Sequence, residues 1–147
     1  VGSSGLAVQE LQNKLLRFGK VALSYTDTHF QVMSAAVTGK NDVVIAVTLS
    51  GETPDILETL TVAKKNKSKI IVITNHILSA AAQMANHVLL TAGRETLIDG
   101  GSLIAKMSQL YIIDVLCTGY ALQNKDESLK MKHNTAEAVV RKNSGVK

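Results

Sequence analysis

The amino-acid sequence predicts an α/β protein, a three-layer α/β/α sandwich around a mostly parallel sheet of about four or five strands. Three observations predict it. Short β-branched runs at Val43–Thr48, Ile70–Thr74 and His87–Thr91 alternate with helical segments. The first two runs are continuously apolar, the pattern of strands buried on both faces. Aromatic residues make up only 3% of the chain and there is no Trp, so the core must be built from Val, Ile, Leu, Ala and Met.

The elements follow in order. In Leu6–Phe18, residues Ala7, Leu11, Leu15 and Phe18 fall on one helical face, and Gly19 is placed to end the helix. Lys20–Tyr25 is read as a fourth strand, and His29–Val37 as a short helix stopped by Gly39. Pro54–Asn66 is a helix with a well-marked start: Thr53 as N-cap, the chain's single Pro at the first helical position, and Asp55 in the first turn. Ser79–Ala85 reads as a short Ala-rich helix, and Ile98–Leu122 as a long apolar, central one. A break at Asn124–Glu127 precedes an amphipathic terminal helix over Asp126–Lys142. At 147 residues the chain is long enough for one domain, residues 1–147, and short for two.

Composition excludes several classes of function. A net charge of +4 suits an anionic ligand, but no dense Lys/Arg run or aromatic platform marks a nucleic-acid surface. The one cysteine, Cys117, lies in an apolar run and reads as a small buried hydrophobe. The four histidines have no i, i+4 pairing that would hold a metal, and no cofactor fingerprint is present. No run reaches membrane-spanning length and no signal peptide is visible, so a cytoplasmic protein is the expectation.

In an open parallel sheet, ligands bind beyond the carboxyl ends of the strands. Two stretches there suit an anion. Thr48-Leu49-Ser50-Gly51-Glu52-Thr53 runs off the Val43 strand into the Pro54 helix. Its hydroxyls at Thr48, Ser50 and Thr53 surround a Gly, and the helix N-terminus adds partial positive charge. This is a phosphate cradle made without Lys or Arg. The second stretch, Val1-Gly2-Ser3-Ser4-Gly5, is a Gly/Ser turn at the start of the first helix and follows the same logic.

Together these stretches resemble the two anion loops of SIS (sugar isomerase) domains, and Ser50-Gly51-Glu52-Thr53 resembles that family's S-G-E-T core. Val1-Gly2-Ser3-Ser4-Gly5-Leu6, Tyr25-Thr26-Asp27-Thr28-His29, Ile73-Thr74-Asn75, Asp114-Val115-Leu116 and Ala121-Leu122-Gln123-Asn124 resemble, in order and spacing, the SIS domain of RpiR-type transcriptional regulators. The resemblance implies a phosphorylated sugar or amino sugar as effector, bound by Ser3, Ser4, Ser50, Gly51 and Thr53 with Thr48 in support. It implies a homodimer or homotetramer. It further implies DNA contact only through an N-terminal helix-turn-helix domain that this chain does not include, and a strand before the first Gly-Ser loop that is missing or reduced to Val1. The chain departs from the family at the long helix. Here Ile98-Asp99-Gly100-Gly101-Ser102 and Ala105-Lys106 stand in place of a Ser/Gly/Met-rich stretch followed by Ser-Arg, which bears on ligand choice.

Sugar-phosphate isomerisation needs a base to move a proton between adjacent carbons and an acid to open the ring. Glu52, Glu95 and His29 are the candidates. Glu52 belongs to the cradle motif itself, and Glu95 precedes the long helix. His29 is read either as facing the site, its own or a neighbouring subunit's, or as partly buried beside Asp27. The cradle is present without an assembled acid–base pair, so a sensor with no catalytic residues is expected. An isomerase is the first alternative, and a dimerisation module without ligand the second.

Overall fold

The computed structural model describes residues 4–93, 103–143 and 145. The helices are α1 (Ser4–Arg17), α2 (Thr28–Ala36), α3 (Pro54–Lys65), α4 (Ala80–Met84), α5 (Leu103–Gln123) and α6 (Lys125–Asn143). The strands are β1 (Val43–Val47), β2 (Lys69–Thr74) and β3 (His87–Leu90). They form one parallel sheet in the order β1-β2-β3, with Ile45 opposite Ile71 and Ile73 opposite Leu89. Each crossover returns through helix, as parallel strands require.

Strand alternation divides the core in two. Ala46, Ile70 and Val72 face α2, α3 and α4, where they pack with Ala35, Ile56, Leu60, Ala63 and Ala81. Val47 and Ile73 face the other way, onto Ala7, Leu11 and Phe18 at α1 and Ile113 and Cys117 of α5. The sheet is therefore covered on both sides, giving the three layers the sequence predicts. Burial raises the pKa of the Cys117 thiol, in keeping with a packing role. Gly19 ends α1 with φ +75°, and its N–H donates to Leu16 O at 2.9 Å.

One predicted strand is absent. Lys20–Tyr25 has no regular secondary structure and joins no ladder, and the described sheet has three strands rather than four or five. The reason lies beside it. A slot of about 760 Å³ separates this segment from the free edge of β1, with Leu11, Val21, Leu23, Val43, Ile45 and Gln31 among its walls. Side chains of the flanking helices hold the segment instead. Ser24 N donates to Gln12 Oε1 at 2.7 Å, and Gln31 Nε2 donates to Tyr25 O at 2.9 Å. Gln31 is 7% exposed, yet its Oε1 has no partner, which is costly for a buried carbonyl.

The long helix is described from Leu103, and Ile98–Ser102 of its predicted span lies outside the described residues. None of the described helices is long and apolar enough to cross a membrane.

Candidate functional site

The loop 48–53 leaves the carboxyl end of β1 and is pinned to the neighbouring strand. Thr48 N donates to Ile73 O at 3.0 Å, while Asn75 N and Thr74 Oγ1 donate to Leu49 O at 3.1 and 3.0 Å. These bonds extend the β1–β2 pairing past the strand ends and fix the loop's height above the sheet. Gly51 then reverses the chain with φ +72°, a left-handed conformation that suits Gly. It is buried against Ser79, and its carbonyl accepts Ala81 N at 3.0 Å.

The loop's own groups divide into those already bonded and those left open. Thr48 is 4% exposed, and its Oγ1 accepts Gly51 N at 3.3 Å. Ser50 Oγ accepts Glu52 N at 3.2 Å, leaving its proton available. Thr53 occupies the N-cap position of α3, but its side chain makes no capping bond, contrary to the expectation from sequence. The first turn of α3 therefore keeps unsatisfied N–H groups at Asp55 and Ile56, beside an uncommitted hydroxyl. Thr48 braces the turn from below, and the Gly51 N–H is spent on it.

Glu52 reaches across to the next element. Its Oε1 accepts Ala80 N at 2.8 Å, so the carboxylate caps α4, where Ser79 Oγ also accepts Ala82 N at 3.3 Å. Ser79 in turn donates to His76 O at 2.7 Å. Ser50, Glu52, His76, Leu78 and Ser79 line an open cleft of about 340 Å³ at this end of the sheet. Behind it, Thr91 Oγ1 bonds Asn75 Oδ1, Asn75 Nδ2 donates to Gly93 O at 3.0 Å, and Ala92 N donates to Ser108 Oγ at 2.8 Å. This chain of bonds ties the exits of β2 and β3 to α5.

The remaining candidates are spread around the molecule. Ser4 is the first residue of α1, and its Oγ accepts Gln109 Nε2 of α5 at 3.1 Å. His29 stands exposed on α2 and lines neither cavity, which overturns its reading as a partly buried residue. The Asp27 carboxylate caps α2 by accepting Phe30 N at 3.1 Å. Ser3, Glu95 and Asp99 lie outside the described residues. Sequence does not single out Ser79, which lines the cleft, or Gln109, which bonds Ser4; His76, following a strand end, could be placed from sequence either in a loop or lining the cleft, and it lines the cleft. Ser79 was visible only as a helix start. Gln109 had one signal, a carboxamide on the inward face of a helix whose other buried residues are Ala105, Ile113 and Cys117. No group of three His, Cys, Asp or Glu among the described residues is placed to hold a metal ion.

Comparison with known proteins places this architecture. The SIS domain profile matches residues 1–119. An uncharacterized HTH-type transcriptional regulator of Clostridium perfringens is 29% identical over 140 residues, covering 95% of this chain and 50% of that protein. The HTH-type transcriptional regulator RpiR of Escherichia coli is 34% identical over 127 residues, covering 86% of this chain and 43% of its own length. The chain thus spans about half the length of these relatives. Among solved structures, the Vibrio vulnificus NanR protein complexed with ManNAc-6P superposes with a TM-score of 0.89 at 29% identity, covering 95% of this chain and 53% of that one. The matched profile spans most of the chain, and the fold is shared with a solved relative: this chain belongs to the SIS domain family.

Proposed function

We propose that this chain is the effector-sensing domain of a transcriptional regulator of carbohydrate metabolism, and that it binds a phosphorylated sugar or amino sugar in the Ser/Thr/Gly cradle. The observation that carries the reading is the set of open donors at the start of α3. The Ser50 proton, the Thr53 hydroxyl and the N–H groups of the first turn are unspent in a loop held in place through Thr48, Leu49 and Gly51. Anions bind such helix starts through N–H groups and the helix dipole. The kinship with RpiR and the ManNAc-6P held by NanR agree with it. Ser50, Thr53 and the first-turn N–H groups take the phosphate, Gly51 supplies the turn that aims them, Ser3 and Ser4 close from the first loop, and no residue acts as a catalyst.

A second reading, a sugar-phosphate isomerase, is favoured by one observation: Glu52 and His76 line the same cleft. The Glu52 carboxylate is engaged with Ala80 N–H, which suits a brace better than a mobile base. Proton NMR in deuterated water with a panel of hexose, pentose and amino-sugar phosphates separates the two. Saturation transfer to a ligand without loss of its carbonyl-adjacent proton is the expected result. Exchange of that proton would make the protein an enzyme, with Glu52 and His76 as the first residues to replace.

The domain works as a homodimer or homotetramer in the cytoplasm. Leu103, Met107 and Tyr111 of α5 are 61–70% exposed, an apolar outer face that a second copy would cover. DNA is reached through a helix-turn-helix domain upstream. A strand between that domain and Val1 fills the slot beside β1, pairs with its free edge and gives Gln31 Oε1 a donor. Adding the preceding native residues should stabilise the domain by about 2 kcal/mol, or roughly 4–8 °C in Tm. Hydrogen exchange at Val43–Val47 should slow in the same protein. Unchanged protection there would remove the strand from the slot.

A further inference from the structure

We propose that Gln109 is a positioning residue that commits the Ser4 hydroxyl proton to the phosphate of the ligand; the inference rests on the phosphosugar reading above. Gln109 is 2% exposed and lies on the apolar inner face of α5. A buried carboxamide is costly unless it is bonded, and this one donates its Nε2 to Ser4 Oγ at 3.1 Å across 105 residues of sequence.

The direction of that bond matters. A hydroxyl has one proton and two acceptor sites. Because Gln109 donates, Ser4 Oγ is the acceptor and this bond leaves its proton unused. Other helical hydroxyls spend theirs on the preceding turn: Ser34 on Gln31 O, Thr59 on Asp55 O, Thr61 on Leu57 O and Thr135 on Met131 O. Ser4 is the first described residue of α1, and its bond to Gln109 uses the oxygen as acceptor. The incoming amide N–H also polarises the Ser4 O–H, making it a stronger donor. Ser4 is thereby set as a donor toward an anion at the start of α1, where the helix dipole also favours negative charge.

The test is calorimetric titration of the 147-residue chain and its variants with ManNAc-6P, alongside thermal melts. Gln109→Leu and Ser4→Ala should each weaken binding about tenfold, the loss of one bond to a charged acceptor. The double variant should bind no more weakly than either alone, because each removes the same directed proton. Gln109→Leu should melt at or above the wild-type temperature, since it replaces a buried polar group by an apolar one. Gln109→Glu should weaken binding more than Gln109→Leu, because the carboxylate takes the Ser4 proton and adds negative charge. Where Gln109→Leu folds poorly, Gln109→Met supplies the same comparison.

Wild-type affinity in the Gln109 variants, or multiplied losses in the double variant, would overturn the role. Ser50→Ala/Thr53→Ala keeps the two claims apart. If it loses binding while the Gln109 variants retain it, only the role of Gln109 fails. If it binds like wild type, or the wild-type chain binds no ManNAc-6P, the phosphosugar site fails with it.

Discussion

Replacing Ser50 and Thr53 together by Ala should cut phosphosugar affinity at least about a hundredfold while leaving a folded protein. Each hydroxyl donates one hydrogen bond to a phosphate oxygen, and bonds to charged groups contribute about 1.5–3 kcal/mol apiece. The two losses sum to about 3–6 kcal/mol, which is two to four orders of magnitude in Kd. The cost to folding is smaller and unevenly shared. Ser50 gives up its bond to Glu52 N, worth about 1 kcal/mol. Thr53 gives up nothing in the free protein, because its side chain makes no capping bond. The sequence alone assigns Thr53→Ala a loss of about 1 kcal/mol as an N-cap; the structure lowers this to within about 0.5 kcal/mol, as for an ordinary surface change. Calorimetry with the ligand and a thermal melt of each single variant check both halves. Unchanged affinity in the double variant would remove this cradle from consideration.

That contrast at Thr53 shows where sequence reasoning reaches its limit. A helix start is written locally: Pro54 and Asp55 mark α3, and nothing distant can move it. Which acceptor or donor a side chain then chooses is decided by what the fold brings near. Glu52 finds Ala80 N across 28 residues and Ser4 finds Gln109 across 105, so neither partnership has a local signature. The strands illustrate the same division. β1 and β2 are legible because helices pack on both faces of the sheet, which favours continuous apolar runs. Lys20–Tyr25 has a similar composition, yet a strand also needs a ladder partner, and the slot beside β1 leaves it without one. His29 matched a family pattern but stands exposed on α2, while His76 entered the cleft because the exit of β2 carries it there.

Gly51→Ala should be the most damaging single change in the cradle, lowering stability by about 2–5 kcal/mol through two separate costs. The first is conformational. At φ +72° an L-residue gives up about 1–2 kcal/mol relative to Gly. The second is steric. A Cβ at this position would sit 2.1 Å from Ser79 Oγ, 2.5 Å from Ser79 Cβ and 3.2 Å from Thr74 Oγ1. Ser79 is 4% exposed and bonded to both His76 O and Ala82 N, so it cannot turn aside without uncapping α4. The overpacking adds about 1–3 kcal/mol. Gly5 offers a milder comparison: its added Cβ meets the methyl Cγ2 of the exposed Thr26, at 2.6 Å, without a positive φ. The two costs at Gly51 separate experimentally. Ser79→Gly in the Gly51→Ala background removes the clash and leaves the left-handed strain. Thermal melts should show partial recovery beyond what the lost Ser79 cap costs. Full recovery would mean that the loop relaxes out of the left-handed region, and a stable Gly51→Ala protein would mean that the close packing of this turn on α4 is not required. Where the loop stays folded but displaced, phosphosugar affinity should fall with it, because the Ser50 hydroxyl and the first turn of α3 are aimed by the same reversal of the chain.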